Sequence, residues 1–260
     1  MTWNNIMGYI STFALFMPVL FILLFRLGTY RSFPVLLFYY TSVLVYNILT
    51  QGYIKADKDI INNWGMINNL LDAPLMLYFL TYLSTSKTMF RRMKIVILSY
   101  ILFELLILLV NGLNVNTIII TLAPGIALVV SYCLFFFNRY AKQAVMHHKA
   151  TGKAIIASSL LFAYGCYTFL YLMYYIFKAH LNSNNKPDPQ YLNDTFLIYF
   201  MVTTFSSILI SAGIIMESKR IHKLKELKVT RKELATIYTE TRRTAPFRKV
   251  LLDFDKEHWN

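Results

Sequence analysis

The amino-acid sequence predicts an all-α integral membrane protein with seven transmembrane helices, and three observations support this fold class. First, 57% of the 260 residues are hydrophobic and only 15% are charged, whereas soluble domains average about a quarter charged residues. Second, apolar segments with few charges recur at a length of about 20 residues, which a helix needs to cross a bilayer. Third, the chain lacks the alternating segments of about ten residues that are typical of membrane β-barrels.

The first three spans follow from the charges on either side of them, because an ionised side chain at the membrane centre costs several kcal/mol. Residues 1–25 and 32–54 carry no charge and predict the first two helices. Residues 60–86 carry only Asp72 and predict the third.

The last four spans follow from the same rule. Residues 95–138 carry only Glu104 but are too long for one crossing, and the turn-forming residues from Asn111 to Asn116 divide them into two helices. Residues 154–177 and 195–216 are uncharged and predict the sixth and seventh helices. The spans are predicted at about residues 8–26, 33–54, 61–85, 94–111, 117–138, 154–177 and 195–216.

The distribution of basic residues predicts the orientation. Of the 26 Lys and Arg residues, 22 lie in the loops after the first, third and fifth spans or after the seventh. Because cytoplasmic loops hold the excess of basic residues, we expect the amino terminus outside and the carboxyl terminus in the cytoplasm. The expected location is the plasma membrane or the bacterial inner membrane, as a multi-pass protein.

The sequence divides into a transmembrane domain, residues 1–217, and a short basic amphipathic tail, residues 218–260. Leu224, Leu227 and Leu234 of the tail recur at helical spacing among Lys and Arg, which predicts a helix that continues the seventh span. The formal net charge of +13 therefore indicates attraction to anionic lipids of the inner leaflet and not a nucleic-acid partner. A cytoplasmic or membrane protein partner could bind the tail.

The two carboxyl groups within the spans, Asp72 and Glu104, are the main candidates for a functional site. No Lys or Arg lies at comparable depth in any span, so burial favours the neutral form of each acid unless a cation or water is present. Each acid could serve as a proton or cation site or as the counter-ion of a ligand amine. Alternatively, each could be a protonated carboxyl that donates a hydrogen bond between helices.

Polar neighbours favour a ligand or ion site at Asp72. Asn68 lies one turn before Asp72 on the same helical face, and Asn69 belongs to the same polar half of the third helix. Pro74 removes one backbone donor close to the acid. We therefore expect a polar cavity that opens outward along this helix.

Tyrosines extend the candidate site to other helices. Tyr100 lies one turn before Glu104, and Tyr167 and Tyr171 lie one turn apart deep in the sixth helix. Tyr167 and Tyr171 could line a pocket, although helix packing is the alternative for both. Ser206 and Ser207 in the seventh helix are expected to permit close helix contact.

The sequence contains no recognised catalytic or metal-binding motif. It has no HExxH, GxSxG, P-loop or GxGxxG pattern, so no catalytic residue, metal or cofactor is predicted. An enzyme that uses Asp72 and Glu104 stays open as a minor alternative. Cys133 and Cys166 are expected to be packing residues, since their predicted depths differ by about 10 Å.

The predicted topology resembles that of the rhodopsins and G-protein-coupled receptors. The seventh span, residues 195–216, lacks the lysine that retinal binding requires, and no NPxxY motif follows. Asn138-Arg139-Tyr140 is similar to the receptor arginine motif but closes the fifth helix instead of the third. The resemblance is limited to topology and identifies no family.

These features together predict a sensor or receptor-like protein that couples an outward-facing polar cavity to cytoplasmic partners. A transporter or channel for a cation, a proton or a small solute would use the same acids. A non-catalytic subunit of a membrane complex is the remaining alternative.

Overall fold

The computed structural model describes residues 3–55, 57–84, 86–147, 150–181 and 189–244. Within these ranges the chain forms seven α-helices and two short 3-10 helices, and it contains no strand. The all-α prediction is therefore confirmed for the described residues. The α-helices are α1 (Trp3–Leu24), α2 (Phe33–Thr50), α3 (Lys58–Leu80), α4 (Lys87–Asn111), α5 (Val115–His147), α6 (Thr151–Leu181) and α7 (Pro189–Thr244), and the 3-10 helices are Leu27–Thr29 and Thr81–Leu83.

Six of the seven described α-helices are long and apolar enough to cross a membrane, which identifies a multi-pass membrane protein. The exception is α3, whose first 15 residues contain four asparagines and two aspartates. Its hydropathy is lowered by these polar residues, although its length of 23 residues suffices for a crossing. The seventh span therefore stays a prediction.

Packing of α3 follows the division of its sequence into a polar half and an apolar half. The helix contacts α2, α4 and α5. Its buried large side chains lie near its end and in the following 3-10 helix: Met76, Leu77, Phe79, Leu80, Tyr82 and Leu83. The asparagines Asn62 and Asn69, in the preceding half, are exposed. Burial of the apolar half anchors α3 among its neighbours and leaves the polar half beside open space.

The helix boundaries around α4 are set by local chemistry. Ser86 caps the amino-terminal end, where its Oγ accepts a hydrogen bond of 3.1 Å from the backbone N–H of Met89. Gly112 ends the helix with φ = 70°, a left-handed conformation that favours glycine. Asn114 donates to the carbonyl of Asn111 at 2.8 Å. The predicted division of residues 95–138 into two helices is therefore confirmed.

Helix α7 is longer than the seventh predicted span. It runs without interruption over 56 residues, from Pro189 to Thr244, as expected for a tail helix that continues the span. The chain divides into two compact units, Met1–Glu217 and Ser218–Asn260. In the second unit, Leu224, Leu227 and Leu234 are exposed.

Close contact between α3, α4 and α5 depends on Gly125. A Cβ atom at this position would lie 2.4 Å from the hydroxyl oxygen of Tyr100 and 2.7 Å from the Cβ of Ala73. The Tyr100 hydroxyl donates to the backbone carbonyl of Thr121 at 3.0 Å, one turn earlier on α5. The helix continues through the adjacent Pro124 without a break.

We predict that Gly125→Ala destabilises the protein because the added methyl group overlaps Tyr100 and Ala73. The free energy of unfolding should fall by about 1 to 3 kcal/mol, as for other overpacked core sites. Gly165→Ala is the matched control, since a Cβ at Gly165 meets no atom within 4 Å. Thermal unfolding of both variants in detergent micelles measures the difference, and equal effects would contradict this account of the three-helix contact.

Candidate functional site

A cavity of about 490 Å³ lies within the first unit, between α2, α3, α5, α6 and α7, with Leu15 of α1 also on its wall. Its volume is in the range of small-molecule binding sites. Val115, the first residue of α5, and Asn62, in the second turn of α3, line it. The cavity therefore extends to the end of the bundle where α3 and α5 begin.

Asp72 lies on the wall of this cavity and is half-buried. Its Oδ1 accepts a hydrogen bond of 2.6 Å from the hydroxyl of Tyr164 on α6, and Tyr39 on α2 lines the same cavity. The Tyr164 hydroxyl is a neutral donor, so it stabilises a negative charge on Asp72 without neutralising it.

The cavity-facing side of α3 follows from helical periodicity. Asn62, Asn69, Asp72 and Met76 are spaced by three, four or seven residues and share one face of the helix. Asn68 lies beside this row, and its Oδ1 accepts a hydrogen bond of 2.9 Å from Ser42 on α2. This hydrogen bond holds the side-chain amide of Asn68 at the edge of the cavity, where α2 and α3 meet.

Tyrosines form much of the polar wall. Tyr39 and Tyr40 pack edge to face with ring centroids 5.3 Å apart, and Tyr167 lies between Tyr164 at 5.8 Å and Tyr199 at 5.9 Å. The contact between Tyr167 and Tyr199 joins α6 and α7, and the α2 pair adds further aromatic surface to the wall. The lining tyrosines are Tyr39, Tyr40, Tyr46, Tyr164, Tyr167, Tyr171 and Tyr199.

Several of these tyrosine hydroxyl groups already have partners within the protein. The Tyr171 hydroxyl donates to the backbone carbonyl of Ile119 at 2.5 Å, and the Tyr167 hydroxyl shares a hydrogen bond of 3.3 Å with Thr203. The Tyr164 hydroxyl donates to Asp72. Ring carbon surface is therefore the part of these side chains left to contact a ligand.

The wall contributed by α5 is entirely apolar. Its lining residues are Val115, Ile118, Ile119, Leu122 and Ile126. Since α3 brings a carboxyl and amides to the same space, the cavity combines one apolar wall with one polar wall. Such a site suits a molecule with a polar end and an apolar body.

Ser207 on α7 is an unsatisfied polar group on the cavity wall. Its side chain is 1% exposed, and its Oγ has no hydrogen-bond partner among the described residues. A buried hydroxyl without a partner costs about 1 to 3 kcal/mol, which sets Ser207 apart from the hydrogen-bonded groups of the wall.

The charge of the cavity is unbalanced. Among the described residues that line it, Asp72 is the sole acid, and none is Lys, Arg or His. The described part of the chain also contains no group of three or more His, Cys, Asp or Glu residues that could hold a metal ion. A single carboxyl group thus faces the cavity without a cationic partner from its wall.

The cavity brings together five of the seven site residues that the sequence predicts: Asp72, Asn68, Asn69, Tyr167 and Tyr171. The other two, Glu104 and Tyr100, are buried and do not line it. The Tyr100 hydroxyl donates to the backbone carbonyl of Thr121 on α5, so Tyr100 takes part in the contact between α4 and α5. Glu104 lies one turn after Tyr100 on α4.

Sequence analysis missed important parts of the cavity. Tyr39 and Tyr40 form part of its polar wall, and the aliphatic face of α5 forms its apolar wall. Within a span, these residues are indistinguishable from ordinary packing or lipid-facing residues. Ser207, expected to serve helix contact, carries the unsatisfied hydroxyl.

A third buried acid lies in the same unit, away from the cavity. Glu217 is fully buried and accepts a hydrogen bond from the hydroxyl of Tyr82. The Nζ atom of Lys153 lies 4.9 Å from the ring centroid of Tyr82 and 5.2 Å from that of Tyr140. The 3-10 helix Thr81–Leu83 thus brings a hydrogen-bond donor to a buried carboxyl group at the end of the first unit.

No protein-family model matches this chain, and neither a curated protein nor a solved structure matches it. The chemical groups of the cavity and their positions on the helices are therefore the basis for a functional assignment.

We predict that Ala163→Leu, which fills part of the cavity, leaves the free energy of unfolding unchanged or raises it by about 0.5 to 2 kcal/mol. Ala163 lines the cavity. Ala157 on the same helix is fully buried and does not line it, so Ala157→Leu should lower stability by about 1 to 3 kcal/mol. Thermal unfolding distinguishes the two, and similar losses would show that no space exists beside Ala163.

Proposed function

We propose that this protein is a seven-span membrane receptor or sensor that binds a small ligand in the cavity and passes the signal to cytoplasmic partners. The observation that carries the proposal is the course of α7. This helix lines the cavity with Tyr199, Thr203, Ser206 and Ser207 and then continues as the same helix to Thr244. A single helix therefore belongs both to the ligand cavity and to the basic tail.

Contacts along α7 support a response to ligand. Ser159 on α6 donates to the backbone carbonyl of Ser206 at 2.8 Å, and Tyr167 shares a hydrogen bond with Thr203. If α6 and α7 pack in two alternative arrangements, a ligand that binds one arrangement better increases the population of that arrangement. Because a helix transmits rotation and translation along its axis, such a shift at Ser207 reaches the tail.

The proposed topology has α3 as the seventh span, the amino terminus outside and the tail in the cytoplasm. The basic loops support this orientation. In this orientation, the end of the cavity near Asn62 and Val115 faces outward. The membrane would be a plasma membrane or a bacterial inner membrane, whose anionic inner leaflet attracts the tail. The continuity of α5 through Pro124 favours a receptor over a carrier built on broken helices.

We predict that Lys55 and Lys87, which flank α3, lie on opposite sides of the membrane. In a Cys166→Ser background, Lys55→Cys should react with a membrane-impermeant maleimide in intact cells. Lys87→Cys should react only after permeabilisation, and Cys133 is fully buried. Labelling of both engineered cysteines from the same side would show that α3 does not span the membrane.

We predict that filling the cavity changes the dynamics of α7 beyond Glu217. Ala163→Leu imitates partial occupancy, and hydrogen–deuterium exchange in lipid nanodiscs should show altered exchange of residues 218–236 relative to the unmodified protein. Gly165→Ala on the same helix, where the added methyl meets no atom, is the control and should leave the exchange of these residues unchanged.

Unchanged exchange in residues 218–236 with Ala163→Leu would contradict coupling through α7. A flux assay separates the carrier alternative: accumulation of radiolabelled choline in proteoliposomes that is lost in Asp72→Asn would favour transport. Altered exchange without flux supports the receptor. Failure of both assays would favour a non-catalytic subunit of a membrane complex.

A further inference from the structure

We propose that the ligand of this cavity is a small organic cation with an apolar body, whose positive group lies against Asp72. This inference rests on the proposed ligand-binding function and specifies its chemistry. It combines three features of the cavity: one unbalanced carboxyl group, a wall of tyrosine rings and an aliphatic wall from α5.

The charge of the ligand follows from the surroundings of Asp72. Its carboxyl accepts a hydrogen bond of 2.6 Å from the hydroxyl of Tyr164. A neutral donor of this kind stabilises a carboxylate but supplies no positive charge. Since no described lining residue is Lys, Arg or His, a cationic group on the bound molecule would supply the charge that balances an ionised Asp72.

The tyrosine wall suits an organic cation. Seven tyrosines line the cavity, and the hydroxyls of Tyr164, Tyr167 and Tyr171 are engaged with protein partners. The ring surface that remains attracts ammonium groups through cation–π interaction, which aromatic sites use to bind quaternary ammonium ligands. An anionic ligand would meet both the negative carboxyl and the negative faces of these rings.

The size and the apolar wall exclude a bare inorganic ion as the full occupant. A metal ion needs several oxygen ligands at about 2.0 to 2.6 Å, whereas the cavity measures about 490 Å³. The five lining residues of α5 are all aliphatic and offer an ion no ligands. They fit hydrocarbon, so the cation should carry an apolar body.

Ser207 adds a polar contact to this arrangement. Its buried Oγ has no partner among the described residues, and it belongs to α7, which lines the cavity together with α3. A hydroxyl or amine group on the ligand would satisfy it. Such a ligand would connect Asp72 on α3 with Ser207 on α7.

The test uses two permanently charged probes and their neutral carbon isosteres: choline with 3,3-dimethylbutan-1-ol, and benzyltrimethylammonium with neopentylbenzene. Binding to purified protein in nanodiscs is measured as the concentration-dependent rise in Tm. We expect at least one cation to raise the Tm while its isostere does not. Asp72→Asn should weaken binding of that cation by about tenfold or more, as for loss of a buried charge partner.

Glu104→Gln is the matched control, since Glu104 is a buried acid outside the cavity, and it should keep the affinity for the cation. A second pair covers the case in which Asp72→Asn fails to fold: Tyr167→Leu should weaken binding, whereas Tyr167→Phe, which retains the ring, should preserve it.

Three outcomes would overturn the proposal: no rise in Tm with either cation, equal binding of cation and isostere, or full affinity in Asp72→Asn. Failure of the receptor function gives a different result. The cation then still binds in a manner dependent on Asp72, but the hydrogen–deuterium exchange of residues 218–236 does not respond to it.

Discussion

The arrangement of the first unit depends on the placement of one carboxyl group among apolar helices. In a membrane environment a polar group has to find its partners within the protein, because lipid offers none. Asp72 accepts a hydrogen bond from the hydroxyl of Tyr164, which lies on α6. The carboxyl thus joins α3 to α6, and its remaining side faces the cavity.

The two halves of α3 explain how the same helix can both anchor and open the bundle. Its last turns bury Met76, Leu77 and Leu80 against neighbouring helices. Because Gly125 has no Cβ atom, α5 can lie in close contact with Ala73 of α3. Its first turns carry asparagines, which gain little from burial in a dry contact and so border the cavity. The polarity that lowers the hydropathy of α3 is therefore the feature that creates the site.

The sequence was sufficient for the helices and for the acid at the centre of the site, but not for its partners. Charges and turn residues such as Gly112 mark the helix ends locally, and Asp72 is visible because it interrupts an apolar run. Glu104 interrupts an apolar run in the same way, yet it is buried away from the cavity. Whether an acid faces the cavity depends on the rotation of its helix about the helix axis. That rotation is set by packing against residues that are distant in sequence, such as Tyr39 and Ile119.

In the proposed receptor, Glu217 would limit how α7 responds to a ligand in the cavity. It lies ten residues after Ser207, or about 15 Å along the helix, and accepts a hydrogen bond from Tyr82 in the 3-10 helix that follows α3. The segment of residues 58–83 therefore takes part in two polar contacts, that of Asp72 with Tyr164 and that of Tyr82 with Glu217. Under the proposal, a ligand that moves this segment or α7 would have to keep both hydrogen bonds. This requirement would restrict α7 to a small number of arrangements, as a switch requires.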